Sequence, residues 1–517
     1  MDYQRYVMHG LVADPPPAEI PPESWTNGTV NGLNRNGFMR RSNGNAIIGP
    51  YADNDAMLEF FYTKLLGAGV GALDSYFLIL VSGFQYYCTG TTLSPPITSP
   101  FVAATLYNTS DVSGGVINNC IVYNYQDQPP LYWEPTVALG VAKRWPTLQW
   151  PFTQKAGVVR TWRNHVFAGN ITKGVSGNPD MLMWSSSATP AGGIPTDWVA
   201  TATNDARTIF LGEVPGPIVD MVPLRDQLFV FKESAFWALS FIGGAFVFSA
   251  RKVTDAFGIN GKNCAVDCGG FLVCLCNEDV MWTDGQSFRS IASQKVRDSI
   301  VGMTTIFSRK FCFVFFNQAT KDCYVCLCKA NDTICHVAWV WNADTELWSF
   351  VDLVESPASG TIGLTCAHYV PPPGNVPAGV VQSNAPSMVG AEIRALTGVT
   401  TFVDIQATPN WISGNPVTAT LVRNALDGGA PDIVKYLNRV DLNIVNPVPA
   451  TAVQISINGR MKESDAIAAP TFVTVSNVIY QQPCNVVGRF FDIQVRCAAP
   501  GFECHGLSLL LGDASVF

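Results

Sequence analysis

Cysteine offers this chain the widest chemistry: there are fifteen among its 517 residues. One dense run holds Cys323, Cys326, Cys328, Cys335 and His336. Thiolates and imidazoles at such intervals build structural zinc sites, but a finger-like site needs a second Cys-x-x-Cys pair, and this run has only Cys323 with Cys326. In FLVCLC and YVCLC, Cys274 and Cys276, and likewise Cys326 and Cys328, stand two apart. On a strand that spacing puts both thiols on one face, where cysteine acts as a small apolar residue against a neighbouring sheet. The expectation is no metal ligand, and thiols left free after folding in a reducing compartment, which suits an odd count.

Histidine is scarce. His9, His165, His336, His368 and His505 are the five, and none stands in an H-E-x-x-H or a nucleophile-elbow arrangement. A histidine in an apolar strand, such as His165 in HVFAGN, reads as structural. Paired carboxylates do cleave glycosides on some β folds, yet the repeated S-x-D-x-G-x-T-W turn of sialidases is absent. The nearest string, Trp282-Thr283-Asp284-Gly285, reads instead as a hairpin turn. Neither a P-loop nor a dinucleotide fingerprint is present. We therefore expect no catalytic, cofactor-binding or metal residues, no cofactor and no enzyme activity.

The elements that would position any such site are hairpins. DQLFVFKESAFWALS within Gly216 to Ser240 alternates as two strands around a polar Lys232-Glu233-Ser234 turn. The cadence returns in Phe271 to Phe288, Phe311 to Leu327 and His336 to Val351. Tyr76 to Cys88, Cys120 to Gln126 and Val158 to Asn170 read as further strands. Repeated small sheets that bury their faces only against neighbours predict an all-β, β-propeller-like domain. Helix is expected at most at Asn54 to Leu66. The uncharged run Ser234 to Ala250 approaches the length of a membrane helix, but Gly243-Gly244 at its centre predicts two strands and a tight turn. The first residues, MDYQRYVMHGLVADPPPAEIPP, lack an apolar core of signal-peptide type.

Three regions follow. Residues 1–45, rich in Pro, Gly and Asn, read as an extended arm with turns at Asn27-Gly28, Asn31-Gly32 and Asn43-Gly44. Arg35, Arg40 and Arg41 make it locally basic, and it is expected either to dock on a partner subunit or to lend the propeller a closing strand. Residues 46–387 hold the propeller-like domain and end in a Pro- and Gly-rich connection, Tyr369 to Ser387. Residues 388–517, with Tyr436 to Val445, Ala452 to Gly459 and Gly488 to Cys497 as longer alternating strands, read as a β-sandwich interface domain. Hydrophobic residues make up 48% and charged ones 14%, which predicts an outside covered partly by other subunits. With 32 Lys and Arg against 40 Asp and Glu, the formal charge of -8 gives no bulk attraction for nucleic acid.

TWRNHVFAGN (Thr161 to Asn170), Pro179 to Trp198, GPIVDMVPLRDQLFVFKESAFWAL (Gly216 to Leu239) and DVMWTDGQSFRSIASQKVRD (Asp279 to Asp298) resemble the tail nozzle proteins of short-tailed bacteriophages, the tail tubular protein B type. The resemblance runs in order over Trp25 to Val351, and Gly488 to Leu511 is similar to the strand pair that ends many such chains. It implies a virion structural protein, made in the host bacterial cytoplasm and placed in the phage tail. It further implies a homo-oligomeric, six-fold ring below the tail adaptor and portal, with tail fibres or a plug protein as further partners. Such a ring retains genomic DNA in an axial channel and passes it during ejection, with transient, non-specific contact to the duplex and no membrane span. The channel lining is not assigned; the turn aspartates Asp279, Asp284 and Asp344 are candidates beside their plainer reading as solvated turn residues. The alternative is a glycan-binding or glycan-degrading propeller for receptor recognition, with Trp184, Trp198, Trp237, Trp282, Trp339, Trp341 and Trp348 as its aromatic wall. Trp339 and Trp341, two apart in an apolar strand, have core spacing. An intracellular scaffold propeller is disfavoured, because the G-H and W-D signatures are missing.

Overall fold

The computed structural model describes residues 2–50, 57–64, 75–81, 84–89, 92–93, 96–100, 109–126, 128–135, 137–138, 140–189, 193–244, 246–329, 332–355, 362–370, 387–394, 399–445, 448–475 and 479–513. These residues are nearly all strand. Helix among them is confined to Arg297–Gly302 and three short 3-10 turns. The local sequence explains the strands well. Gln227–Lys232 and Phe236–Gly243 are strands where expected and pair antiparallel, with successive residues buried in turn against the two neighbouring cores. Asn118 and Asn119, at φ 46° and 66°, and Gly243 and Gly244, at φ 70° and 64°, stand in the left-handed backbone that a tight hairpin requires.

The strands form seven four-stranded antiparallel units in chain order. Sheet I holds Met57–Lys64, Ser75–Val81, Phe84–Thr89 and Thr92–Leu93. Sheet II holds Val112–Ile117, Cys120–Tyr125, Leu131–Trp133 and Ala142–Arg144. Sheet III has Gln154–Trp162, His165–Lys173, Ser176–Trp184 and Arg207–Phe210, and sheet IV has Ile218–Leu224, Gln227–Lys232, Phe236–Gly243 and Val247–Thr254. Sheet V contains Ala265–Asp267, Leu272–Leu275, Val280–Thr283 and Phe288–Ser290. Sheet VI contains Phe313–Asn317, Asp322–Leu327, Val337–Asn342 and Trp348–Asp352. Sheet VII joins Ile362–Val370, Ser387–Arg394 and Val399–Thr408 to a strand from far upstream, Gly44–Pro50. The first strand of each sheet packs against the first strand of the next, and that of sheet VII lies against that of sheet I. The arrangement is all-β and propeller-like.

A second body follows in which two sheets share one core. Ala419–Leu426, Phe490–Cys497, Val453–Arg460 and Val473–Thr474 make one layer. Lys435–Ile444, Gln481–Gly488 and Glu503–Asp513 make the other. Leu437, Val440, Ile455, Ile493, Val495, Leu507 and Leu509 interdigitate between them, as expected of a β-sandwich.

One expectation changes. Met57–Lys64 is a strand paired with Ser75–Val81, not part of a helix. MLEFFYTK is aromatic and apolar on both parities and finds a strand partner a short connection away, so pairing outweighs its modest helix propensity. Of the two readings of the N-terminal segment, a strand lent to the propeller-like domain is present, as Gly44–Pro50 pairs with Val399–Thr408, and the earlier residues are strand-paired within the chain too. Asp2–Val7 runs antiparallel to Gly506–Leu511, and Gly32–Arg35 and Phe38–Arg41 form a hairpin. That hairpin bridges Trp348–Asp352 of sheet VI to Glu503–Asp513, so one ten-stranded sheet spans both bodies. The hairpin turns at Asn36-Gly37 (φ 53° and 87°), a turn not among those expected, while Gly28 and Asn31 of the expected turns are also left-handed (φ 97° and 58°). Arg41 is buried and donates to the Pro409 and Val417 carbonyls, while Arg35 pairs with the buried Asp322 at 2.6 Å. The connection expected at Tyr369 to Ser387 falls mostly outside the described residues.

Candidate functional site

Among the described residues, the cysteines and histidines are largely packed into the fold. Among the described cysteines all are buried except the half-buried Cys484. Burial pushes the Cys274, Cys276 and Cys326 thiols up, away from the reactive thiolate. Among the described residues no group of three or more His, Cys, Asp or Glu side chains is arranged to hold a metal ion. Three histidines each face one carboxylate: His165 Nε2 lies 3.1 Å from Asp205, His336 Nε2 2.5 Å from Asp332 and His505 Nε2 3.3 Å from Glu503. His505 also stacks on the Phe38 ring at 3.3 Å, which pins the N-terminal hairpin to the second body.

The three turn aspartates divide. Asp284 Oδ1 accepts the Gln286 and Ser287 N–H groups and the Ser287 hydroxyl, closing the sheet V hairpin. Those backbone hydrogen bonds hold its carboxyl below the usual range. Asp279 accepts from Val280 N–H and Ser290 Oγ and borders a cleft of about 740 Å³ whose walls include Glu278, Arg297, Asp298 and Arg309. Asp344 is exposed at the turn before Trp348–Asp352. The tryptophans do not converge on a sugar-sized wall. Trp184, Trp198, Trp237, Trp339, Trp341 and Trp348 are buried in the core, and the half-buried Trp282 is covered by the Arg289 guanidinium, 4.9 Å from its ring centre.

Among the described residues, the first strands of sheets II to VI are tied together by a buried ion pair. Arg160 in sheet III holds the fully buried Asp220 of sheet IV through two bonds, Nε to Oδ1 at 2.7 Å and Nη2 to Oδ2 at 3.0 Å. The same guanidinium donates to the Gly114 carbonyl of sheet II and to Asn263 Oδ1 ahead of sheet V. Asp220 in turn accepts the N–H groups of Met221 and Asn263, and the Asn263 carbonyl accepts Val314 N–H from sheet VI. One bidentate ion pair with satisfied lone pairs thus ties five consecutive sheets together. Close approach makes it possible. A Cβ on Gly114 would lie 2.5 Å from the Val122 oxygen and 2.6 Å from the Phe61 ring. Between sheets V, VI and VII a cavity of about 190 Å³ remains, lined by Asn263, Asp267, Phe313, Phe315 and His368 among others, with room for a few water molecules.

No family model and no curated protein matches this chain. Among solved structures, the computationally designed Ika8 protein is similar at 8% identity and a TM-score of 0.36, over 70% of this chain and 100% of that one. The extracellular domain of a hybrid two-component system from B. thetaiotaomicron matches at 9% identity and a TM-score of 0.34, over 63% of this chain and 38% of that one. Hsv2 of Kluyvelomyces marxianus matches at 11% identity and a TM-score of 0.31, over 59% and 77%. Likenesses at these scores identify neither function nor partner.

Sequence reading missed the Arg160–Asp220 clamp. Its signal was there: a charge inside each of the apolar strands QKAGVVRTW and IVDMVPL, where an unpaired charge would be prohibitive. The outer surface carries the opposite anomaly. At the tip of the second hairpin of sheet IV, Phe241, Ile242 and Phe246 stand exposed around Gly243-Gly244, Phe246 at 76%. Leu148, at 89%, and Phe152 are exposed between sheets II and III. Among the described residues no helix is long and apolar enough to cross a membrane.

Proposed function

We propose that this chain is a structural subunit of the tail nozzle of a short-tailed bacteriophage. Copies of it form a six-fold ring around a channel that retains genomic DNA and then passes it. The observation that carries the reading is the contrast between the inside and the outside of the sheet ring. Among the described residues the inner strands of sheets II to VI are tied by the Arg160–Asp220–Asn263 network, and the cavity between sheets V, VI and VII holds about 190 Å³, too little for a duplex. Large apolar side chains meanwhile stand outside, as at Phe241, Ile242 and Phe246. A DNA path therefore runs between subunits, not through one, and the apolar tips supply contacts between copies. The formal charge of -8 suits a wall along which a polyanion slides without sticking. The order of the motifs over Trp25 to Val351 supports the same assignment.

Gold-labelled antibody against this chain, imaged on intact particles by negative stain, tests the proposal. Label at the distal end of a short tail on a single vertex is the expected result. Label on peripheral fibres, or on no particle, overturns it.

A further inference from the structure

The cysteine run that makes no finger converges on a third thiol. Cys328 follows the second strand of sheet VI and Cys335 precedes the third. Their sulfurs lie 3.2 Å apart, so a bond of about 2.05 Å needs a closure of only about 1 Å. Cys312, just ahead of the first strand, sits against both. Its sulfur accepts the Cys328 N–H at 3.4 Å and donates to the Ser308 carbonyl at 3.7 Å, while the Cys335 thiol donates to the Phe311 carbonyl next to it at 3.5 Å. The neighbouring Cys328 and Cys335 thiols favour the Cys312 thiolate and hold it below the usual thiol range, whereas burial pushes Cys328 and Cys335 up. The cluster thus sets one sulfur that favours thiolate beside two that favour thiol. Cys335 also exchanges backbone hydrogen bonds with Leu364 of sheet VII at 2.9 and 2.8 Å, so whatever restrains it restrains the seam between sheets VI and VII.

We propose that Cys328 and Cys335 form a disulfide when the protein meets a small peroxide, with Cys312 as the sulfur that first takes up the oxidant. The Cys312 thiolate attacks hydrogen peroxide, giving a sulfenic acid and releasing hydroxide. The Cys335 thiol condenses with it, forming a Cys312–Cys335 disulfide and water. Cys328 then attacks the Cys335 sulfur and gives up its proton, and Cys312, the best leaving group of the three, departs as thiolate. The net change is two thiols and one peroxide to one disulfide and two waters. The product locks the end of the sheet VI hairpin to the segment that pairs with sheet VII. Nothing in this step depends on what the protein assembles into.

The test treats the folded full-length chain with hydrogen peroxide, blocks remaining thiols in denaturant, and maps linked peptides by mass spectrometry. One bond is expected, Cys328 to Cys335, reversed by dithiothreitol. Cys312→Ala is expected to yield the same bond about ten-fold more slowly, as loss of the thiolate nucleophile requires. A bond at another pair, such as Cys268 with Cys323, or no bond until the chain unfolds, overturns the proposal. An unchanged rate in Cys312→Ala overturns the relay. Should that variant fold poorly, trapping the sulfenic acid with dimedone in Cys335→Ala decides the same point: the adduct must lie on Cys312, and an adduct elsewhere refutes it.

Discussion

Arg160 shows at the scale of one residue how charge is handled in a chain with so little of it. Its partner Asp220 is fully buried and its own side chain is 14% exposed, so removing either leaves the other charged and stranded. Breaking such a pair costs about 3–5 kcal/mol. Arg160→Ala should therefore lower the urea midpoint steeply, while Arg297→Ala, whose pair with Asp298 is open to solvent, should leave it unchanged. Equal effects from the two would show that the clamp does no more than a surface pair. The clamp was half legible: Arg160 and Asp220 each stand out in an apolar strand, but a single sequence does not say that strands of two different sheets bring them together. The turn aspartates were legible in the other sense, since Asp284 before Gly285 does what an aspartate before a turn glycine commonly does.

Among the elements, the first strand of sheet II is under a tight steric demand. Gly114 and Gly115 lie in Val112–Ile117, where Val122, Phe61 and Thr161 crowd the positions a Cβ would take. The Gly114 oxygen, in turn, is an acceptor for Arg160. Gly114→Ala should cost about 1–3 kcal/mol as an overpacking change, although alanine ordinarily favours neither strand nor loop strongly. A chemical denaturation curve checks it, and a neutral result would mean that the first strands separate easily. In contrast, the hairpins themselves were readable in advance. Apolar runs over Gln227–Lys232 and Phe236–Gly243 and the paired glycines after them are local signals, and local signals suffice for an antiparallel turn. Met57–Lys64 was misread because its mixed pattern is decided by its partner strand rather than by its own periodicity.

For the whole molecule, the apolar hairpin tip of sheet IV is where assembly can be separated from folding. Replacing Ile242 and Phe246 with aspartate changes side chains that are already in solvent, so the melting temperature of the isolated chain should hold. On the nozzle proposal, the doubly substituted chain should nonetheless fail to enter particles, measured by quantitative immunoblotting of purified virions. Normal incorporation would remove this tip from any subunit interface. The sequence alone determined what depends on neighbours along the chain: an all-β class, the positions of most hairpins, the scarcity of catalytic side chains, and the apolar use of paired cysteines. Only the tertiary structure decided what depends on distant segments. Gly44–Pro50 completes a sheet whose other strands begin at Ile362, Asp2–Val7 pairs with Gly506–Leu511, and Cys312 meets Cys328 and Cys335. The physical reason is that hydrogen bonds between strands carry no record of sequence separation. Periodicity says that a strand has an apolar face, and only packing says which strand will cover it.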